Sequence, residues 1–362
     1  MPRVIGIDPG TLSIDLCGLD DGRVFLDESL PTSRALDEPE AVVARIARAG
    51  AVDLVAGPSG YGLPLVSARD LSDNDLRLAC LAAEGERGGI GGLRRFMRTL
   101  ARSSTPVVLT PGVIHLPSVP DFRKANRIDM GTADKVCAAA LAVHELATRD
   151  KTTPDRVSAI VLELGGAFSA ALALDHGRIV DGLGGTSGPI GMRGAGALDG
   201  EVAFLAGTVS KDLLFSGGAA SIAGAPDASA ELLEAAPDGR GKTAWAAYVE
   251  SAVKAVATLR VSAPGAKDIV LSGRVVRTAR IADAIASRIA DAIPGTSVHV
   301  LEGFARIAKQ AAQGAALIAD GLAGGRSKPL VDVLQMREAR GTVLDHLYVI
   351  STQTARARLG MA

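Results

Sequence analysis

Aromatic side chains are scarce in this 362-residue chain, with one Trp, three Tyr and seven Phe making up 3% of it. The hydrophobic share is nonetheless 48%, and alanine and glycine are abundant, which fits tightly packed helices on sheets. Cysteine is scarce too. Cys17, Cys80 and Cys137 have no metal-site spacing, and an odd number leaves one unpaired. That excludes a disulfide framework and leaves buried, reduced thiols of a cytoplasmic protein. No sign of charge dominates: 39 Lys and Arg against 40 Asp and Glu give −1, so there is no general electrostatic case for nucleic acid or anionic membrane as partner. No apolar run is long enough to cross a bilayer. Met1-Pro2-Arg3 leads straight into a strand, without the pattern of a signal peptide.

What is present is a repeated hairpin. In residues 158–188, Ser158 to Leu164 is an apolar β-type run broken by Gly165-Gly166. Ala167 to Leu174 resumes it, and Asp175-His176-Gly177 is turn chemistry. A Gly-Gly turn lets backbone N–H groups approach a phosphate with no Cβ in the way. Residues 4–24, VIGIDPGTLSIDLCGLDDGRV, register on this segment without a gap at a shift of 155. Gly10 falls on Gly165, Asp8 on Glu163, Leu19-Asp20 on Leu174-Asp175 and Gly22-Arg23 on Gly177-Arg178. Matching turns at both ends of a hairpin point to two similar halves with a ligand between them. The chain is long enough for two domains with full cores.

The paired hairpins resemble the phosphate-binding signature of the superfamily of actin, heat-shock chaperone ATPases, sugar kinases and acetate and butyrate kinases. Overall the pattern is most similar to an uncharacterised family of predicted butyrate kinases, over roughly residues 3 to 325. The resemblance implies an α/β fold of two ribonuclease-H-like (actin-like ATPase) domains with an interdomain nucleotide cleft. It divides the chain into residues 1–145, residues 146–325 and a segment 326–362 that packs back on the body. It also implies ATP and Mg²⁺ as cofactors, with Asp8 near the metal and Gly10, Thr11, Gly165 and Gly166 around the phosphates. A carboxylate at a strand end beside a glycine turn suits an ion bound through water.

In the first half, Val52 to Gly57 reads as a buried strand running into Pro58-Ser59-Gly60-Tyr61-Gly62. Carboxyl ends of strands are where α/β proteins bind ligands, and butyrate kinases face their acyl substrate from such a turn. Ser59, Gly60 and Tyr61 are therefore substrate candidates. Residues 67–103 read as an inserted flap: a polar helical stretch over Asp70 to Glu84, glycine-rich Glu86 to Gly92 and a basic amphipathic helix over Leu93 to Leu100. A proline-rich loop after the strand Pro106 to Leu109 leads to a helix over Thr132 to Thr148. Where acetate kinases carry an active-site histidine, the nearest residue here is Asp129, read either as a catalytic group or as the carboxylate leading into the helix. His115 stands near the place of their catalytic Asp and is a further substrate candidate.

In the second half, residues 182–199 are too rich in glycine and proline for regular structure, and such a loop needs a reason. Gly188-Pro189 and Arg193-Gly194 match a butyrate-kinase loop, which implies that Arg193 stabilises charge on the transferred phosphoryl group or holds a substrate carboxylate. Helices are expected over Phe204 to Leu214, Thr243 to Leu259, Arg277 to Ala292 and Ala305 to Leu322, and helix plus strand over Asp332 to Leu347. The strand Lys267 to Ser272 running into Ser272-Gly273-Arg274 resembles the adenosine motif, and Gly314 would let the late helix pass close to the nucleotide.

These readings converge on an ATP-dependent kinase of a small carboxylate or hydroxylated metabolite, without nucleic-acid or membrane partners and with a homodimer left open. The rivals are a ribonuclease-H-fold nuclease, in which Asp8 and Glu163 would bind two metals, and an ATPase that acts as a nucleotide switch.

Overall fold

The computed structural model describes residues 2–83 and 92–361. The first sheet contains β1 (Arg3–Pro9), β2 (Ser13–Asp20), β3 (Arg23–Pro31), β4 (Leu54–Pro58), β5 (Val66–Ser67) and β6 (Val107–Thr110), in the order β3-β2-β1-β4-β6-β5. The second contains β7 (Ala159–Leu164), β8 (Ser169–Asp175), β9 (Arg178–Leu183), β10 (Asp268–Ser272) and β11 (Ser297–Val300), in the order β11-β10-β7-β8-β9. Each sheet joins an antiparallel meander to parallel strands, so the fold is mixed α/β. β1 and β7 are apolar on both faces and sit inside their sheets, as strands covered on both sides do.

The repeat seen in the sequence extends to single hydrogen bonds. The Gly10 N–H donates to the Ser13 carbonyl, and the Gly165 N–H donates to the Phe168 carbonyl, each at 3.0 Å. Pairing shifts register at Gly18/Leu19 in one meander and at Ala173/Leu174 in the other. Asp21 and Gly22 turn with φ of 49° and 76°, and His176 and Gly177 with 49° and 71°. Two consecutive left-handed residues are what a tight hairpin turn needs to follow the strand twist.

One helix joins the sheets, and a second crosses it. Ala133–Arg149 packs on β4 and β6 of the first sheet and on β7 and β8 of the second. Gln310–Leu322 lies against β1, β2 and β4 and crosses Ala133–Arg149. Glycine makes both contacts possible: a Cβ on Gly6 would overlap the Ala312 carbonyl, and one on Gly314 would overlap the Cys137 carbonyl. On the second sheet, Gly239–Arg260 and Ala279–Ala292 bury a core that includes Tyr248, Val256, Ile281 and Ile285.

Three expectations change. The helix expected over Phe204 to Leu214 is two, Gly200–Ala206 and Lys211–Leu214, because Gly207 turns at φ 70°. No strand forms in 332–347 among the described residues; the tail holds the helices Lys328–Val333 and Thr352–Arg358. Backbone groups in the tail are satisfied by loops of the body: Arg340 N–H donates to the His115 carbonyl, and the Asn126 side chain accepts from the N–H groups of Tyr348 and Val349. In the expected flap, Val66–Ser67 adds an edge strand beside β6, and the helix Leu93–Ala101 buries Leu93, Phe96, Met97 and Leu100. Apart from Gly92, the stretch Glu86 to Gly92 lies outside the described residues.

Gly314→Ala presses a methyl into backbone that has no rotamer to yield. It should cost about 1–3 kcal/mol or more, read as a lower urea midpoint. Gly265→Ala, with open space around its Cα, should stay within about 0.5 kcal/mol of the parent.

Candidate active site

A cleft of about 300 Å³ opens between the ends of the two sheets. The turn 8–13 and the turn 163–168 form its opposite walls; Gly60 and Tyr61 after β4, Thr132 to Lys135, Ser272 to Arg274 after β10, and Lys309 complete it. The hairpin turns face each other closely: a Cβ on Gly166 would lie 3.4 Å from Arg274 Cδ and 3.9 Å from Leu12 Cδ1. Every piece comes from the end of a strand or the start of a helix, where backbone N–H groups are left over for anions.

The floor is a set of carboxylates tied to two lysines. Lys309 Nζ lies 3.0 Å from Asp8 Oδ2 and 2.9 Å from Asp15 Oδ2 and donates to the Ser13 carbonyl at 3.1 Å. Lys135 Nζ lies 2.9 Å from Glu163 Oε2 and 2.7 Å from Asp134 Oδ2, and Thr132 Oγ1 donates to Asp134. Since Asp8 and Glu163 correspond under the repeat, each half offers its first-strand carboxylate to a lysine at the start of one crossing helix. Burial pushes the Asp8 and Glu163 carboxyls above the usual range, and Lys309 and Lys135 oppose that. Burial likewise disfavours both ammonium charges, yet the facing carboxylates win and hold both lysines protonated more firmly than in water.

Lys309 is placed from a distance. The Asp27 carboxylate on β3 accepts the N–H groups of Arg306, Ile307 and Ala308, and Gln313 Oε1 accepts those of Phe304 and Ala305. These side chains occupy the donors an earlier helical turn would use, so the late helix begins at Gln310 and not at Ala305.

Most of the residues singled out from sequence meet in this cleft. Asp8, Gly10, Thr11, Gly60, Tyr61, Asp129, Glu163, Gly165, Gly166, Ser272, Gly273 and Arg274 all line it. Asp129 is engaged on both oxygens: Oδ1 accepts from Gly131 N–H at 3.2 Å, and Oδ2 from the Thr186 N–H and hydroxyl, each at 2.9 Å. It ties the second-half loop to the first half. Ser59 lies just behind the wall, its hydroxyl donating to the Thr110 carbonyl at 2.8 Å and accepting from Leu63 N–H.

Three candidates fall elsewhere. His115 is buried outside the lining, its ring against Gly62 and its Nδ1 3.1 Å from the Gly341 carbonyl, and burial lowers its pKa. Gly314 serves the helix crossing and does not reach the cleft, because its missing side chain faces Cys137. Arg193 is exposed and lines an adjoining cavity of about 330 Å³ that shares Leu12, Gly166 and Arg274 with the first. The glycines of its loop have a packing reason: a Cβ on Gly185 or Gly194 would collide with the Phe168 ring, and one on Gly191 with the Ala167 carbonyl. Lys309, Lys135, Asp134 and Asp15 escaped the sequence reading. So did Lys211, whose ammonium stands 4.7 Å above the Tyr61 ring and links the two halves across the cleft.

Solved structures share the fold. A propionate kinase from Francisella tularensis subsp. tularensis SCHU S4 is 13% identical with a TM-score of 0.62, covering 87% of this chain and 99% of its own. The acetate kinase of Porphyromonas gingivalis is 12% identical with a TM-score of 0.59, covering 87% and 98%. Lmo2764 from Listeria monocytogenes, a proposed N-acetylmannosamine kinase, is 14% identical with a TM-score of 0.52, covering 87% and 97%. The fold is thus the two-domain actin-like ATPase fold found in acyl and sugar kinases. The chain belongs to the family described as "Protein of unknown function (DUF1464)", whose model matches residues 6–349. No curated protein matches it in sequence, and no helix among the described residues is long and apolar enough to cross a membrane.

Lys135→Met would strand Glu163 and Asp134, and loss of one partner from a shielded pair costs about 3–5 kcal/mol. Thermal melts of both variants should separate this from Arg98→Met, which breaks an exposed pair with Asp73 and should cost under about 1 kcal/mol. Asp27 adds a pH dependence. Burial alone would raise its pKa, but the three backbone N–H groups outweigh that and lower it. Its contribution is therefore present above the unfolded value of about 3.9 and lost as pH falls through the folded one. Denaturation midpoints of the parent and Asp27→Asn should differ at pH 7 and converge at the acid end.

Proposed function

We propose that this protein is an ATP-dependent phosphotransferase acting on a small carboxylate or hydroxylated metabolite. The observation that carries the reading is the pair of equivalent glycine turns facing each other across one cleft, with first-strand carboxylates and lysines on its floor. In this reading the phosphates lie between Gly10-Thr11 and Gly165-Gly166, and the nucleoside crosses Ser272 to Arg274 into the adjoining cavity. Gly166 stands at that passage, where a Cβ would come into van der Waals contact with the Arg274 side chain.

The residues fit a Mg²⁺ ion that arrives on the nucleotide. Asp8 reaches the cleft, and no group of three or more His, Cys, Asp or Glu among the described residues forms a cage of its own. That suits an ion held by a carboxylate, water and phosphate oxygens. When bound, it would neutralise charge on the transferring phosphoryl group. The acceptor would occupy the end walled by Tyr61, Ala79, Cys80, Thr132 and Phe215. Asp129, with both oxygens engaged, is read as positioning the 184–187 loop over that end. Arg193 lines the adjoining cavity together with Arg274 and would have to swing past Gly166 into the cleft, on its long side chain, to cover phosphoryl charge.

A screen of short carboxylic acids and simple sugars by coupled ADP release should find acceptor-dependent turnover that Asp8→Ala abolishes. Slow hydrolysis indifferent to every acceptor would favour a nucleotide switch instead. On the substrate so found, Arg193→Ala should lower turnover on the order of 10³-fold while nucleotide affinity changes little, and Arg193→Lys should rescue little of it. Wild-type turnover in Arg193→Ala would make this a structural surface arginine.

A further inference from the structure

Lys309 holds one oxygen of Asp8, the carboxylate assigned above to the incoming metal. Its ammonium is met by three oxygens, Asp8 Oδ2 at 3.0 Å, Asp15 Oδ2 at 2.9 Å and the Ser13 carbonyl at 3.1 Å, which matches its three protons. Gly10 leaves the space for it, since the nearest atom to a Cβ built there would be Lys309 Nζ. Asp27 fixes the backbone that delivers it. Asp8 and Asp15 are 5% and 1% exposed, and the second Asp15 oxygen, Oδ1, is buried with no partner of its own. Lys309 itself remains 27% exposed and faces the cleft, whereas Lys135 at the equivalent carboxylate is 16% exposed.

We propose that Lys309 is a resident cation that reserves the Asp8 carboxylate, so that a divalent ion reaches Asp8 only together with a polyphosphate. A divalent ion and an ammonium cannot share one carboxylate oxygen at contact distance, because like charges that close repel strongly where water is scarce. A bound polyphosphate changes the balance. Its oxygens give the metal further ligands and give the ammonium, on its flexible four-carbon stem, new acceptors a short swing away. The other charges around Asp8 are Asp15, Asp134 and Glu163, all acidic, so Lys309 is the cation in direct contact with it among the described residues. This rests on the reading of Asp8 as the metal-facing carboxylate, but its test involves no turnover, so it can fail while the phosphotransferase reading stands.

The test is Mn²⁺ binding to the full nucleotide-free chain, followed by electron paramagnetic resonance and by calorimetry. The parent should bind Mn²⁺ weakly, and Lys309→Met should bind it at least about tenfold more tightly by exposing the carboxylates. Adding Asp8→Asn to that variant should remove the gain. Lys309→Arg, which keeps the charge, should stay with the parent. Because Lys309→Met leaves two buried carboxylates unpaired, Lys309→Met/Asp15→Asn, which leaves one, is measured beside it and compared with Asp15→Asn alone, with folding checked by circular dichroism. Addition of tripolyphosphate to the parent should bring Mn²⁺ onto the protein in an Asp8-dependent way. The proposal fails if the folded Lys309 variants bind Mn²⁺ no more tightly than their lysine-containing counterparts. It also fails if the gain survives Asp8→Asn, or if the parent already binds Mn²⁺ through Asp8 without polyphosphate.

Discussion

A carboxylate taken out of water keeps its charge only if something positive or hydrogen-bonding comes with it. That rule shapes the centre of this molecule. Asp8, Asp15, Asp134 and Glu163 converge on the cleft floor from two sheets and a helix, and among the described residues Lys309 and Lys135 are the cations in contact with them. Each lysine is carried at the beginning of one of two crossing helices, of which Ala133–Arg149 spans both sheets and Gln310–Leu322 lies on the first. The positions of both helices along the chain, and thereby the spacing of the two glycine turns, are bound up with this pairing of charges. The ladder of dependence reaches further: Asp27 on β3, remote in sequence, decides where the loop ends and Gln310–Leu322 begins.

Side-chain size supplies the other half of the organisation. With so few aromatic residues, close approach is achieved by leaving side chains out. Gly6 and Gly314 let a helix lie on a strand and across another helix, while Gly185, Gly191 and Gly194 let a loop wrap the segment around Phe168. Phe168 in turn meets Phe215 edge-on at 4.6 Å, so the wrapped loop also supports an aromatic wall of the cleft. Asp129 and Thr186, from opposite halves, then hold the loop in place.

Much of this was legible in the sequence, because a duplicated hairpin leaves a periodic trace. The shift that aligned Gly10 with Gly165 also aligns the bulges at Gly18/Leu19 and Ala173/Leu174 and the left-handed pairs at 21–22 and 176–177. Strand ends, glycine turns and the residues after β4 and β10 are local in nature, and they could be placed. What escaped is non-local. A lysine in front of an apolar helix, as Lys309 is, carries no mark of the two aspartates it meets nearly 300 residues earlier in the chain. Gly314 was seen as a point of close approach, but a missing side chain does not say which neighbour it admits. The glycines of 182–199 were read toward a ligand for the same reason, and Gly207 was absorbed into a helix it ends.

The seam at Gly314 and Cys137 bears on how the halves can move. Interfaces built from side chains adjust by exchanging rotamers, which lets packed helices slide by small steps. Backbone against backbone has no such steps, so the two helices are denied sliding at that point and left with turning about it. The seam is then a fulcrum, with Gln310–Leu322 fastened to the first sheet and Ala133–Arg149 spanning both. A lever turning there moves least at the crossing and most at its ends, and the Tyr61–Lys211 contact is one that such turning would have to stretch or close.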